Sequence, residues 1–151
     1  GGTSTLTLAK LFPANLHITV ITNSVPIVAQ LIEHPVIEVI FTGGLIGKDS
    51  QTAGGMDTIR MLEKLRADIC FLGICSLHPE AGVTGLDLGA ADVKSVMVEA
   101  AYKTIALATS DKTATAEPFK VCDITGLDTI ITDNPDLPSL KPYANLGIQV
   151  I

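Results

Sequence analysis

Ile18-Thr19-Val20-Ile21-Thr22-Asn23-Ser24 passes from apolar, β-branched residues straight into polar ones. The first five predict a short strand, because β-branched side chains fit a pleated, half-buried surface. Ser24 has the chemistry of a helix N-cap, and Pro26 falls in the first turn, where its missing N–H costs little. A helix over 24–32 follows, and Pro35 stops it. The same sequence of apolar strand, polar strand end and helix recurs along the chain. Residues 36–42 form the next strand, ended by Gly43-Gly44, and 45–53 read as a loop. A helix over 57–65 puts Ile59, Leu62 and Leu65 on one side, and Ile69-Cys70-Phe71-Leu72 is a third strand. Residues 73–89 are loop-rich, punctuated by Pro79, Gly82, Gly85 and Gly89. The clearest helix spans 90–101, with Val93, Val96, Met97 and Ala100 as its apolar stripe and Lys94 on the flank. Strands at 104–108, 129–132 and 148–151 complete the pattern, with one helical turn near 139–145 among Pro135, Pro138 and Pro142.

Nearly continuous apolar strands separated by helices predict an α/β fold, with a mostly parallel central sheet and helices on both faces. Ligands of such sheets bind at the carboxyl ends of the strands. The polar and glycine-bearing ends gather there: Thr22-Asn23-Ser24, Thr42-Gly43-Gly44, Gly73 and Thr109-Ser110-Asp111-Lys112.

The length of 151 residues predicts a single domain over 1–151, and 47% hydrophobic residues give ample core. No apolar run reaches the roughly 18 residues of a transmembrane helix, and no basic-then-apolar leader opens the chain, so a soluble, cytoplasmic domain without membrane contact is expected. The net charge is −6, and the ten Lys and Arg are scattered. Nucleic-acid affinity leans on phosphate neutralisation, so this chain alone should bind DNA poorly. Aromatics are 4% with no Trp, which disfavours a base-stacking platform. Cys70, Cys75 and Cys122 form no C-x-x-C, and His17, His34 and His78 supply no ligand pairs, so no metal and no cofactor are expected. Cys70, in an apolar run, reads as a small core residue.

The opening stretch, Gly1-Gly2-Thr3-Ser4-Thr5, leads into the helical pattern Leu6-Thr7-Leu8-Ala9-Lys10-Leu11-Phe12. A helix N-terminus offers unpaired N–H groups and partial positive charge to a phosphate, and the three hydroxyls can add donors. The alternative is a plain cap made by Ser4 or Thr5. No strand feeds this stretch, which predicts a strand, and a further domain, ahead of Gly1. A Walker loop is absent, since Gly47-Lys48 is followed by Asp49, and so is a G-x-G-x-x-G fingerprint. Lys94 and Lys112 are candidate cations for a sugar phosphate, or else solvated lysines whose stems cover the core edge.

In order and spacing, Gly2-Thr3-Ser4-Thr5, Val20-Ile21-Thr22-Asn23-Ser24, Gly43-Gly44, Gly54, Asp68-Ile69-Cys70-Phe71-Leu72-Gly73, Gly82-Val83-Thr84, Val93-Lys94-Ser95-Val96-Met97, Lys112 and Ile130-Ile131-Thr132-Asp133 resemble the C-terminal effector domain of DeoR-type bacterial transcriptional regulators. The resemblance covers nearly the whole chain. It implies a fold like that of ribose-5-phosphate isomerase, and a sensor of phosphorylated sugars or related metabolites. It also implies a homo-oligomer that binds operator DNA only through an N-terminal helix-turn-helix domain outside this chain. On that resemblance Gly2, Thr3, Ser4 and Thr5 hold the phosphate, while Thr22, Asn23, Ser24, Gly43, Gly73, Lys94 and Lys112 line the sugar pocket. The family often has Glu four residues before the helix lysine and Asp three before the second; here Ala90 and Thr109 stand in those places.

Two other functions stay open on the sequence. A sugar-phosphate isomerase needs a base near neutral pKa. The related isomerases carry an acidic Asp-Gly-Ala-Asp-Glu stretch after the central strand; this chain has Gly73-Ile74-Cys75-Ser76-Leu77-His78-Pro79-Glu80, so no catalytic residue is assigned. The other is a dimerisation module without a ligand.

Overall fold

The computed structural model describes residues 2–151; Gly1, the first glycine of the opening stretch, lies outside them. The chain forms two compact units, one ending at Lys64 and the other spanning Leu65–Ile151.

In the first unit, α1 (Thr3–Lys10) leads to β1 (Thr19–Thr22), α2 (Val25–Leu31) and β2 (Glu38–Phe41). β1 and β2 pair in parallel, from Thr19 opposite Glu38 to Thr22 opposite Phe41, with α2 as the crossover that parallel pairing requires. Ala9, Ile27, Leu31 and Ile37 are buried together, with Leu6, Phe12, Val20 and Val39 against them. Leu31 is 1% exposed, a burial that stabilises by about 1.5–3 kcal/mol. The stretch read as a loop over 45–53 instead contains an antiparallel pair, β3 (Leu45–Ile46) and β4 (Ala53–Gly54). Two-residue strands around a polar turn leave no periodicity to read. α3 (Met56–Glu63) then ends the unit, buried through Thr58 and Leu62.

The second unit runs β5 (Ala67–Gly73), β6 (Ser76–His78), β7 (Gly82–Gly85), α4 (Leu88–Glu99), β8 (Ala101–Leu107), β9 (Phe119–Cys122), β10 (Thr129–Ile131), α5 (Lys141–Asn145) and β11 (Gln149–Val150). Four strands make a parallel sheet in the order β11-β10-β8-β5. The expected loop over 73–89 contains β6 and β7, which join β9 in an antiparallel sheet of their own. The glycines that suggested a loop serve this sheet: Gly82 has φ +82°, and a Cβ there would meet the Cys122 carbonyl.

Side chains alternate across β5. Leu72 enters the core with Ala106, Ile130, Leu77, Val83, Val121 and Tyr143. Ile69 and Phe71 point to the opposite face and are 46% and 38% exposed. Cover on both faces is therefore not met at this strand. α4 begins two residues before the expected 90, because Asp87 Oδ1 accepts the Ala90 N–H at 2.7 Å. Of the expected stripe, Val93 and Ala100 are buried, Val96 and Met97 half-buried, and Ala91 joins the core instead.

Candidate functional site

Gly2 is the N-cap of α1, in extended backbone, and Thr3, Ser4 and Thr5 form its first turn. Neither Ser4 nor Thr5 is the cap residue. Thr5 reaches back from the third helical position: its Oγ1 accepts the Gly2 N–H and donates to the Gly2 carbonyl, both at 3.0 Å. That hydroxyl is fully engaged and buried, whereas Thr3 is exposed and Ser4 half-buried. The first intrahelical bond runs from Leu6 N–H to the Gly2 carbonyl. Thr3, Ser4 and Thr5 are thus the first turn of a helix that the chain enters from extended backbone at Gly2.

The strand-end residues of the same unit are clamped to one another. Thr22, Asn23 and Ser24 are all buried. Thr22 Oγ1 accepts the Ser24 N–H at 3.1 Å, and Asn23 Nδ2 donates to the Ala53 carbonyl at 2.8 Å. The Ala53 N–H returns a bond to the Asn23 carbonyl at 2.7 Å, and the Val25 N–H donates to Gln51 at 3.0 Å. Ser24 is at the N-cap position of α2, yet its hydroxyl makes no capping bond. Gly43 follows β2 with φ +69°, and its carbonyl accepts from Thr58 Oγ1. Beside it, Thr42 Oγ1 is buried with no hydrogen-bond partner among the described residues.

In the second unit, Lys94 projects from α4 and donates from Nζ to the Gly73 carbonyl, at the carboxyl end of β5, at 2.9 Å. A cavity of about 180 Å³ opens beside it, walled by Cys75, Leu86, Asp87, Ala90 and Val121 among others. Burial holds the Lys94 amine below its ordinary pKa; nearby Cys75 works against this and Lys112 adds to it. Ala90, in the place of an expected glutamate, is one wall of this cavity. A larger, shallower hollow of about 390 Å³ lies between Arg66, Asp68, Glu99 and Tyr102, at the amino ends of β5 and β8. Parallel sheets bind ligands at the other end, so the smaller cavity is the candidate.

Lys112 closes a 3-10 turn, Ser110–Lys112, and is half-buried. Asp133 fixes that turn: Oδ1 accepts the Ser110 N–H at 2.7 Å and Oδ2 the Ser110 hydroxyl at 3.3 Å. The backbone N–H of Ser110 is the main reason the Asp133 carboxyl lies below its ordinary pKa. The roles of Asp87, Cys75 and Asp133 here escaped the sequence reading. An aspartate three residues before Ala90 was a cap signal open to it; the pairing of Asp133 with Ser110 spans 23 positions and left none.

Cys70 packs against the core as expected, and burial pushes its thiol up to about 11; Cys122, also by burial, reaches about 11. Among the described residues no three His, Cys, Asp or Glu are grouped to hold a metal, and no helix is long and apolar enough to cross a membrane.

Residues 1–134 match the family described as the DeoR C-terminal sensor domain, and the chain belongs to that family. It is therefore a sensor domain of transcription regulators and not an enzyme. Among its relatives is the HTH-type transcriptional regulator GolR of Listeria innocua, 28% identical over 96% of this chain and 58% of the relative. A putative aga operon transcriptional repressor of Escherichia coli O157:H7 is 28% identical over 99% and 56%. The HTH-type transcriptional regulator GlpR of Haloferax volcanii is 28% identical over 99% and 59%. The chain thus spans little more than half the length of these relatives.

Proposed function

We propose that this sensor domain responds to a phosphorylated sugar or a related phosphorylated metabolite. In the first unit, the phosphate lies against the N-terminus of α1. The carrying observation is the turn Thr3–Thr5, entered from extended backbone at Gly2: no hydrogen bond among the described residues occupies the Thr3 or Ser4 hydroxyl. A helix start of this kind favours an anion through N–H donors and the helix dipole. The unpartnered Thr42 hydroxyl, at a strand end of the same unit, supports a polar ligand there. The second unit, taken by itself, offers cationic donors to a polar ligand at Lys94, beside Gly73, and at the turn carrying Lys112.

Thr22, Asn23, Ser24 and Gly43 enter this reading as a rim that holds its shape through its own hydrogen bonds. The fold proposed for the family, like that of ribose-5-phosphate isomerase, has support in the parallel strands joined by helices. The isomerase reading falls with the family assignment. For the whole protein we propose a DNA-binding, homo-oligomeric regulator, most simply a repressor, whose operator contacts lie outside this chain.

A ligand that binds the native state alone raises apparent stability by about 2.7 kcal/mol at a hundredfold excess over its Kd. Thermal melts with phosphorylated sugars, each beside its unphosphorylated form, test the reading. A rise with one phosphorylated sugar and none with its partner is expected. Equal response to both forms refutes the phosphate subsite, and silence across the panel favours a domain kept for assembly.

A further inference from the structure

Leu72, Ala106 and Ile130 turn one face of the parallel sheet into the core of the second unit. Both α-helices of that unit join the same core, through Ala91 of α4 and Tyr143 of α5. Alternate residues form the opposite face of the sheet. Register lays them out in rows: Ile69 beside Lys103, and Phe71 beside Ile105, then Thr129 and Gln149. Ile131, and Ile151 just past β11, extend the face toward the carboxyl ends. Ile69, Phe71, Ile131 and Ile151 are 46%, 38%, 38% and 53% exposed. Among the described residues of this face, Lys103 alone is charged.

We propose that this bare sheet face docks a second copy of the chain. Parallel sheets occur almost only with both faces covered, so an apolar face spanning four parallel strands calls for an occupant. Its four exposed apolar residues present roughly 350 Å² between them, the scale at which a surface patch marks an interaction site. Two copies packed face to face bury about 700 Å² of apolar surface, which is the apolar share of an interface near 1,200 Å², the lower end for a stable complex. Composition points to a like partner. The chain has 16 acidic residues and a net charge of −6, yet none of those carboxylates stands on this face. A strongly acidic or basic partner finds little complementary field here, whereas a like surface meets only Lys103 against Lys103. Ile and Phe at the centre, with Lys103 toward the amino ends and Gln149 on the outermost strand, give the apolar middle and polar rim of a homodimer interface. The inference names the surface behind the homo-oligomer proposed above and rests on that reading; it needs no ligand.

Sedimentation velocity on this chain, over a range of micromolar concentrations, reads the assembly. A concentration-dependent dimer is expected. Phe71→Lys and Ile131→Lys put charge at the centre of the face and should each weaken the dimer about tenfold or more. Ile151→Lys lies outside β11, tests the same face without altering a paired strand, and should act in the same direction. Lys103→Gln removes the like charges and should leave the dimer as tight or tighter. Leu45→Lys, at a residue of the first unit that is 83% exposed, should change nothing. Circular dichroism melts confirm that each variant is folded. A dimer that persists in the folded face variants overturns this surface and leaves the homo-oligomer standing. A parent that stays monomeric over the whole range overturns both for this chain, and assigns the face to a segment outside it or to another partner.

Discussion

Asp133 holds the Ser110 backbone N–H at 2.7 Å and so ties the residues after β10 to the turn that ends in Lys112. The bond favours the charged carboxylate, which is why the folded-state pKa is depressed. Stability from a depressed carboxyl is present above the unfolded-state pKa and is lost as pH falls through the folded one. Asp133→Asn should therefore lower the denaturation midpoint at neutral pH, and the gap from the parent should close in acid. Urea melts from neutral to acid pH check this; a gap constant with pH contradicts it.

Tyr143 is fully buried, donating to the Leu77 carbonyl at 2.9 Å and accepting the Ala114 N–H at 3.2 Å. Tyr143→Phe keeps the ring and strands both partners. A loss of about 1–3 kcal/mol is expected by chemical denaturation, the cost of unsatisfied buried groups. No loss would mean that water replaces the hydroxyl.

Ser4 and Thr5 are adjacent hydroxyls with opposite expected effects. Thr5→Ala removes the bonds to the Gly2 backbone and should cost about 1 kcal/mol of stability. Ser4→Ala should leave stability within about 0.5 kcal/mol while weakening phosphorylated-ligand affinity. Melting and calorimetry on both variants read the two effects separately, and unchanged affinity in Ser4→Ala removes that hydroxyl from the site.

Gly43 and Gly44 both have positive φ, at +69° and +112°. An added Cβ meets nothing at Gly43, so Gly43→Ala should cost only the backbone strain, about 1–2 kcal/mol. At Gly44 it collides with Thr58 Oγ1 and the Gly54 carbonyl, so Gly44→Ala should cost clearly more. Equal melting temperatures for the two variants would contradict this.

Strands rich in β-branched residues and bounded by polar ends, such as Thr19–Thr22, were legible because burial and local preference agree there. Leu45–Ile46 was not: both residues are exposed, and the strand exists through its pairing with Ala53–Gly54. Gly82–Gly85 carries two glycines and is paired on both sides, so tertiary pairing overrides its loop-like composition. At the site, residue types pointed to Lys94, but its partner, the Gly73 carbonyl, is a backbone group 21 positions away. Asn23 was legible as polar and strand-terminal. Its commitment to Ala53 depends on a hairpin the sequence concealed.

The Tyr143 hydroxyl joins positions 66 residues apart, whereas the Asn23 amide joins positions 30 apart. Long closures slow folding more than they weaken the folded state, since loop entropy grows only with the logarithm of length. The hydroxyl also accepts from the Ala114 N–H, in a residue whose φ of +59° is unusual outside glycine. That amide gains its partner only when the Tyr143 ring docks, so in pulsed hydrogen exchange during refolding it should be among the last of its unit to become protected.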